Sequence, residues 1–194
     1  MKKLLFTGIM MVASLGLAHD YDLDKSKVKL LISSEQIDAK VKDVAHRIND
    51  EYTGKEVIVI SIMRGAIFFT VDLMRELTIP YTLEVVKCHS YGTDNKRGEL
   101  KIDGLDKIDV ANKHIIIVDD IFDTGTTMKA VKEAVMKKNP ASLKTVLLLV
   151  KNVAHVGGIT PDIALFEIED HFVFGYGLDY KEYYRGLRGI YYVE

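Results

Sequence analysis

Three carboxylates, Asp119, Asp120 and Asp123, stand close together and are followed at once by a hydroxyl-rich turn, Thr124-Gly125-Thr126-Thr127. Each part has a chemical use. Backbone N–H groups at the start of a helix form an anion site, and a glycine such as Gly125 lets that backbone approach a phosphate closely. The threonine hydroxyls add donors. Carboxylates repel phosphate, so acids at this point need other partners: sugar hydroxyls, a metal ion, or a proton in transit. The segment Ile115–Thr127 (IIIVDDIFDTGTT) therefore joins an anion cradle to an acidic wall. Rival phosphate and metal patterns are missing from the sequence. There is no G-x-x-x-x-G-K-[ST] and no H-E-x-x-H, and Gly175-Tyr176-Gly177 lacks the third glycine and the helix of a dinucleotide site.

These residues must be held by a scaffold, and the apolar periodicity outlines one. Ser33 with Gln36 forms a capping box, and Ile37, Val41, Val44, Ala45 and Ile48 then recur at helical spacing up to Thr53-Gly54. Val57 to Ile62 is a continuous apolar run, the pattern of a strand covered on both faces. A glycine turn, Met63-Arg64-Gly65, leads into a helix over Ala66–Leu77, stopped by Pro80. Further strands are predicted at Leu83–Cys88, His114–Val118, Thr145–Val150 and Ile163–Ile168, and a helix at Thr127–Asn139. Ser90 to Glu99 is polar and glycine-punctuated and reads as a long loop. Strands alternating with helices predict an α/β fold, a parallel sheet flanked by helices, with ligands at the carboxyl ends of the strands.

Composition excludes several function classes. The 194 residues carry 26 Lys and Arg against 28 Asp and Glu, a net charge of −2, and no basic face appears that would coat a nucleic acid. The single cysteine, Cys88, excludes an intrachain disulfide and reads as a small apolar residue in a strand. The first residues point elsewhere. Met1-Lys2-Lys3, an uncharged run from Leu4 to Ala18, and the small residues of Gly16-Leu17-Ala18 follow the pattern of a secretory signal. That run is shorter than the about 20 apolar residues a spanning helix needs, so no stable membrane span is expected. Residues 1–19 are therefore set apart as a signal-like or extension segment, and 20–194 as one domain.

The acidic loop VDDIFDTGTT resembles the 5-phosphoribosyl pyrophosphate (PRPP) motif of type I phosphoribosyltransferases. Four other segments, in order, resemble the hypoxanthine-guanine branch of that family. Met63-Arg64-Gly65 resembles its pyrophosphate loop, where lysine often stands at the position of Arg64. Ser90-Tyr91-Gly92 resembles the start of its mobile lid. Leu149-Val150-Lys151 and the run Asp170–Arg185 (DHFVFGYGLDYKEYYR) resemble its purine, metal and pyrophosphate segments. The likeness runs from about Val28 to the C-terminus.

This resemblance implies a fold in which the terminal segments form a small hood over the sheet. It also implies transfer of phosphoribosyl from PRPP to a 6-oxopurine. Asp123 would be the acid–base residue at the purine N7. Asp119 and Asp120 would hold the ribose hydroxyls, with Thr124, Gly125, Thr126 and Thr127 around the 5-phosphate. Many relatives have glutamate in place of Asp119. Arg64, Gly65 and Arg185 would face pyrophosphate, and Ser90 and Tyr91 would begin the lid. Lys151 would donate to the 6-oxo group, which disfavours adenine. Phe172 would stack on the base, with core filling as its competing role, and Val173 would offer its backbone. The resemblance further implies Mg²⁺ held by Asp179 with Asp119 and Asp120, and a homo-oligomer, dimer or tetramer. PRPP is an intracellular metabolite, which favours the cytoplasm despite the leader. Two competing readings are a xanthine-preferring relative and a non-catalytic regulator with the same fold.

Overall fold

The computed structural model describes residues 23–90, 100–155 and 158–194. The leader, Tyr91 and the rest of the expected lid up to Glu99 lie outside them. Six strands form the central sheet: β2 (Val57–Met63), β3 (Tyr81–Ser90), β4 (Leu100–Asp103), β5 (His114–Phe122), β6 (Ser142–Lys151) and β7 (Ile163–Ile168). Their order is β4-β3-β2-β5-β6-β7, parallel except where β4 pairs antiparallel with β3. A second, antiparallel sheet of β1 (Val28–Ile32), β9 (Ile190–Val193) and β8 (Val173–Phe174) forms the hood. Among the described residues three α-helices flank the sheet: α1 (Ser34–Glu51), α2 (Ile67–Glu76) and α3 (Thr126–Met136).

The helices sit where their apolar faces require. Ser33 caps α1 by accepting from the Gln36 N–H, while the Gln36 side chain accepts from the Ser33 N–H. The stripe Ile37, Val41, Val44, Ala45 and Ile48 is buried against Val57, Val59, Ile116 and Val118, together with Phe69 and Leu73 of α2. The alternate residues Ile60, Ile115 and Ile117 point to the opposite face and meet Met128, Val131 and Val135 of α3. A strand period of two thus feeds two separate cores. On the first face Ser61 and Thr70 satisfy each other by a buried hydroxyl pair 2.7 Å apart.

Several boundaries differ from the sequence-based expectation, and those of the strands follow from their pairing partners. The strand expected at His114–Val118 continues to Phe122, because Asp119 and Ile121 keep register with Leu147 and Leu149 of β6. The strand expected at Leu83–Cys88 extends from Tyr81 to Ser90, paired at one end with β2 and at the other with β4. The helix expected over Thr127–Asn139 spans Thr126–Met136, with Asn139 at a positive φ of 55°. Strands β1, β4, β8 and β9 carry too little local pattern to be read. Each exists by its pairing, β1 across the whole chain as in Val28 opposite Val193 and β4 with the strand before it.

The sheet order creates the site. The chain leaves β2 toward β3 on one side, while β5, on the other side of β2, continues toward β6 and β7. The loops after β2 and β5 therefore diverge and open a crevice at the carboxyl ends of these two strands. Those loops carry Arg64-Gly65 and Asp123–Gly125.

Candidate active site

The crevice is a half-open cleft of about 250 Å³ lined by Gly65, Cys88, Asp119, Asp120, Asp123 and the residues Thr124–Met128. Gly125 precedes α3 at a φ of 83°, a left-handed conformation that favours glycine, and no side chain caps that helix. A Cβ there would also lie 2.6 Å from the Phe122 ring. The first-turn N–H groups of α3 therefore face the cleft as an anion site, flanked by the Thr124 and Thr126 hydroxyls, which are 3.1 Å apart.

The two adjacent acids lie deep in this cleft. The Asp120 N–H donates to Asp119 Oδ1 at 3.0 Å, and the Ile121 N–H to Asp120 Oδ1 at 2.9 Å. Burial, and then the charge of Asp120, hold the Asp119 carboxyl well above the usual carboxylate range. Burial also raises Asp120, against the lowering effect of its hydrogen bonds and of Arg185. Such a pair gains from hydroxyl donors or a cation placed against it. Burial, followed by Asp119, pushes the Cys88 thiol up to about 12, so it stays a protonated lining group.

The opposite wall is a stack of backbone. The Met63–Arg64 peptide bond is cis. Gly65 lies against the Asp120 carboxylate, and Gly177 lies on the Gly65 carbonyl oxygen. A Cβ on either glycine would overlap its neighbour. Arg185 fixes the same layer: its Nη1 donates to the Gly177 carbonyl at 2.8 Å, and its Nη2 lies 2.6 Å from Asp179. Arg64 reaches Glu182 at 2.8 Å, and Glu182 also lies 3.6 Å from Arg185. One carboxylate thus bridges the two arginines expected at pyrophosphate. Glu182 lies inside the segment singled out by resemblance, but its bridging place depends on backbone at positive φ (70° at Glu182), which sequence does not display.

On the side of the β6 terminus, Lys151 Nζ donates to Asp170 at 2.8 Å and stands 3.8 Å from Asp123 Oδ2. Asp170 is the partner that the residue pattern did not single out. Phe172 is 58% exposed, with its ring edge-to-face against Tyr180 at 5.8 Å. The competing reading of Phe172 as core filling is therefore corrected. Val173 is buried in β8 and paired with Tyr192. Ser90 ends β3. Among the described residues no three His, Cys, Asp or Glu side chains stand together. Asp179 lies against Arg185, and Asp119 and Asp120 line the cleft.

The phosphoribosyl transferase domain profile matches residues 33–181. The chain belongs to the phosphoribosyltransferase family. Within it, the likeness is to the hypoxanthine-guanine branch. The chain is 37% identical over 170 residues to the hypoxanthine-guanine phosphoribosyltransferase of Aquifex aeolicus, covering 87% of this chain and 96% of that one. It is 37% identical to the enzyme of the same name from Lactococcus lactis, covering 86% and 91%. Among solved structures, the hypoxanthine phosphoribosyltransferase of Trypanosoma cruzi in complex with the product IMP superposes with a TM-score of 0.78 at 34% identity, covering 85% of this chain and 93% of that one.

Proposed function

We propose that this protein is a purine-salvage enzyme that transfers the 5-phosphoribosyl group of PRPP to N9 of hypoxanthine and of guanine, giving IMP or GMP and pyrophosphate. The observation that carries the choice of base is the pairing of Lys151 with Asp123, 3.8 Å apart. A 6-oxopurine presents O6 and N7 side by side on one edge. An ammonium suits the O6 acceptor, and the neighbouring carboxylate suits an N7 proton. An amino group at the 6-position would present hydrogens to Lys151 instead, so adenine fits poorly. The names of the relatives favour hypoxanthine over xanthine, and retention of Asp123, Lys151 and Asp179 favours an enzyme over a regulator.

In this reading N9 attacks the anomeric carbon while pyrophosphate departs on the opposite side, and the carbon gains oxocarbenium character. Asp123 takes the N7 proton as the glycosidic bond forms. Thr124, Thr126, Thr127 and the α3 N–H groups around Gly125 hold the 5-phosphate, and Asp119 and Asp120 accept from the ribose hydroxyls. Arg64, the backbone at Gly65, and Arg185 stabilise the leaving group once it displaces Glu182 from the arginines. Phe172 offers an exposed ring to the base face, beside the Val173 backbone, and Ser90 and Tyr91 begin the segment that would exclude water.

The oxygen donors fit a hard cation: Asp179, or the buried pair whose raised pKa a cation would offset, would hold Mg²⁺ together with substrate oxygens. When bound, Mg²⁺ supplies charge neutralisation for pyrophosphate. PRPP supply places the enzyme in the cytoplasm, and analogy favours a dimer or tetramer. No helix among the described residues is long and apolar enough to cross a membrane.

The deciding experiment is release of pyrophosphate from PRPP, dependent on Mg²⁺ and on added hypoxanthine or guanine, with xanthine and adenine as competitors. No base-dependent release would overturn the reading, and preference for xanthine would replace it with the xanthine enzyme. Lys151→Ala should raise the Kd for hypoxanthine about tenfold or more, as loss of a charged hydrogen bond does, while PRPP binding holds. Unchanged guanine and hypoxanthine affinity would remove Lys151 from the purine site.

A further inference from the structure

We infer that Tyr176, through its hydrogen bond to Asp72, is a positioning residue that sets the wall facing the departing pyrophosphate; the inference rests on the function proposed above. The Tyr176 hydroxyl donates to Asp72 Oδ2 at 2.8 Å, and the other Asp72 oxygen accepts from Arg75 at 3.0 Å. Asp72 belongs to α2, the helix that begins directly after the Arg64-Gly65 turn. The bond therefore ties the hood segment to the element that carries one side of the leaving-group site.

What Tyr176 holds is the next residue. Gly177 lies on the Gly65 carbonyl, its N–H donates to the Arg185 carbonyl at 2.8 Å, and its own carbonyl accepts from the Arg185 guanidinium. The position of Gly177 therefore fixes both Arg185 and Gly65. Tyr176 itself has a φ of 49°, which is uncommon for an aromatic residue and must be offset by its contacts. Its N–H donates to the Leu187 carbonyl at 2.8 Å, its ring lies 6.2 Å from that of Phe68, and only 6% of the residue is exposed. Burial and the Asp72 carboxylate raise the phenol pKa, so the hydroxyl remains a donor throughout the physiological range. Filling this space needs only a ring. Anchoring the loop to α2 needs the hydroxyl.

Tyr176→Phe keeps the ring and removes the bond. The KM for PRPP should rise about tenfold, the scale of a lost hydrogen bond to a charged group, with kcat and the KM for hypoxanthine near wild type. Calorimetric binding of inorganic pyrophosphate, which needs no turnover, should weaken in parallel. Asp72→Ala should repeat the defect and the double variant should be no worse than either single one. Asp72→Asn, whose amide oxygen still accepts from the phenol, should largely restore PRPP binding. An unchanged PRPP KM and pyrophosphate affinity in Tyr176→Phe would overturn the inference. So would equal weakening of both substrates with a lowered melting temperature, the mark of a merely structural role. Wild-type protein that releases no pyrophosphate would count against the proposed activity instead.

Discussion

Asp123→Asn should lower kcat by about 10²–10⁴-fold, the range of a lost general acid–base group, while PRPP binds nearly as well as before. The geometry separates these two effects. Asp123 is half-exposed at the rim of the cleft, 3.8 Å from Lys151, whereas Asp119 and Asp120 lie deeper, on β5. Asparagine retains the size and one carbonyl oxygen of the side chain but cannot take a proton at neutral pH. Single-turnover kinetics with saturating PRPP and hypoxanthine would measure the chemical step, and calorimetry would measure PRPP binding. Equal losses in both would show that Asp123 holds PRPP and would remove it from the proton transfer.

Gly177→Ala should destabilise the fold and strongly weaken PRPP-dependent activity. Gly177 has a φ of 106°, outside the range that a residue with a Cβ adopts comfortably, and that Cβ would overlap the Gly65 carbonyl oxygen. Both partners are backbone, so no side-chain rotation can relieve the clash. Strain and overpacking together should cost about 3 kcal/mol, which lowers Tm by about 6–12 °C for a chain of this size. The part of the hood that relaxes is the part that carries Arg185, so the KM for PRPP should rise steeply even below the melting temperature. A variant with wild-type Tm and wild-type PRPP KM would show that Gly177 does not abut Gly65.

The central α/β layer and the chemistry of its main loop were legible from local signals in the chain. The capping box at Ser33, the buried stripe of α1 and the apolar runs of β2 and β5 are local signals, and each forms the element expected. The cluster Asp119, Asp120, Asp123 and Thr124–Thr127 is contiguous in the chain, so its spacing in sequence carries over directly into the cleft. Resemblance implied a hood at the termini, but strand ends and the hood's own strands left no local pattern, because β1 is fixed by β9 at the far end of the chain and β8 by the same strand. Resemblance named the residues around pyrophosphate and base but could not state their mutual distances. Only the tertiary structure placed Lys151 beside Asp123, bridged Arg64 to Arg185 through Glu182, and stacked Gly177 on Gly65 against Asp120. The physical reason is that these contacts cross from the carboxyl ends of β2, β5 and β6 to the hood. Their geometry is set by sheet order and left-handed backbone turns, and neither leaves a periodic trace in the chain.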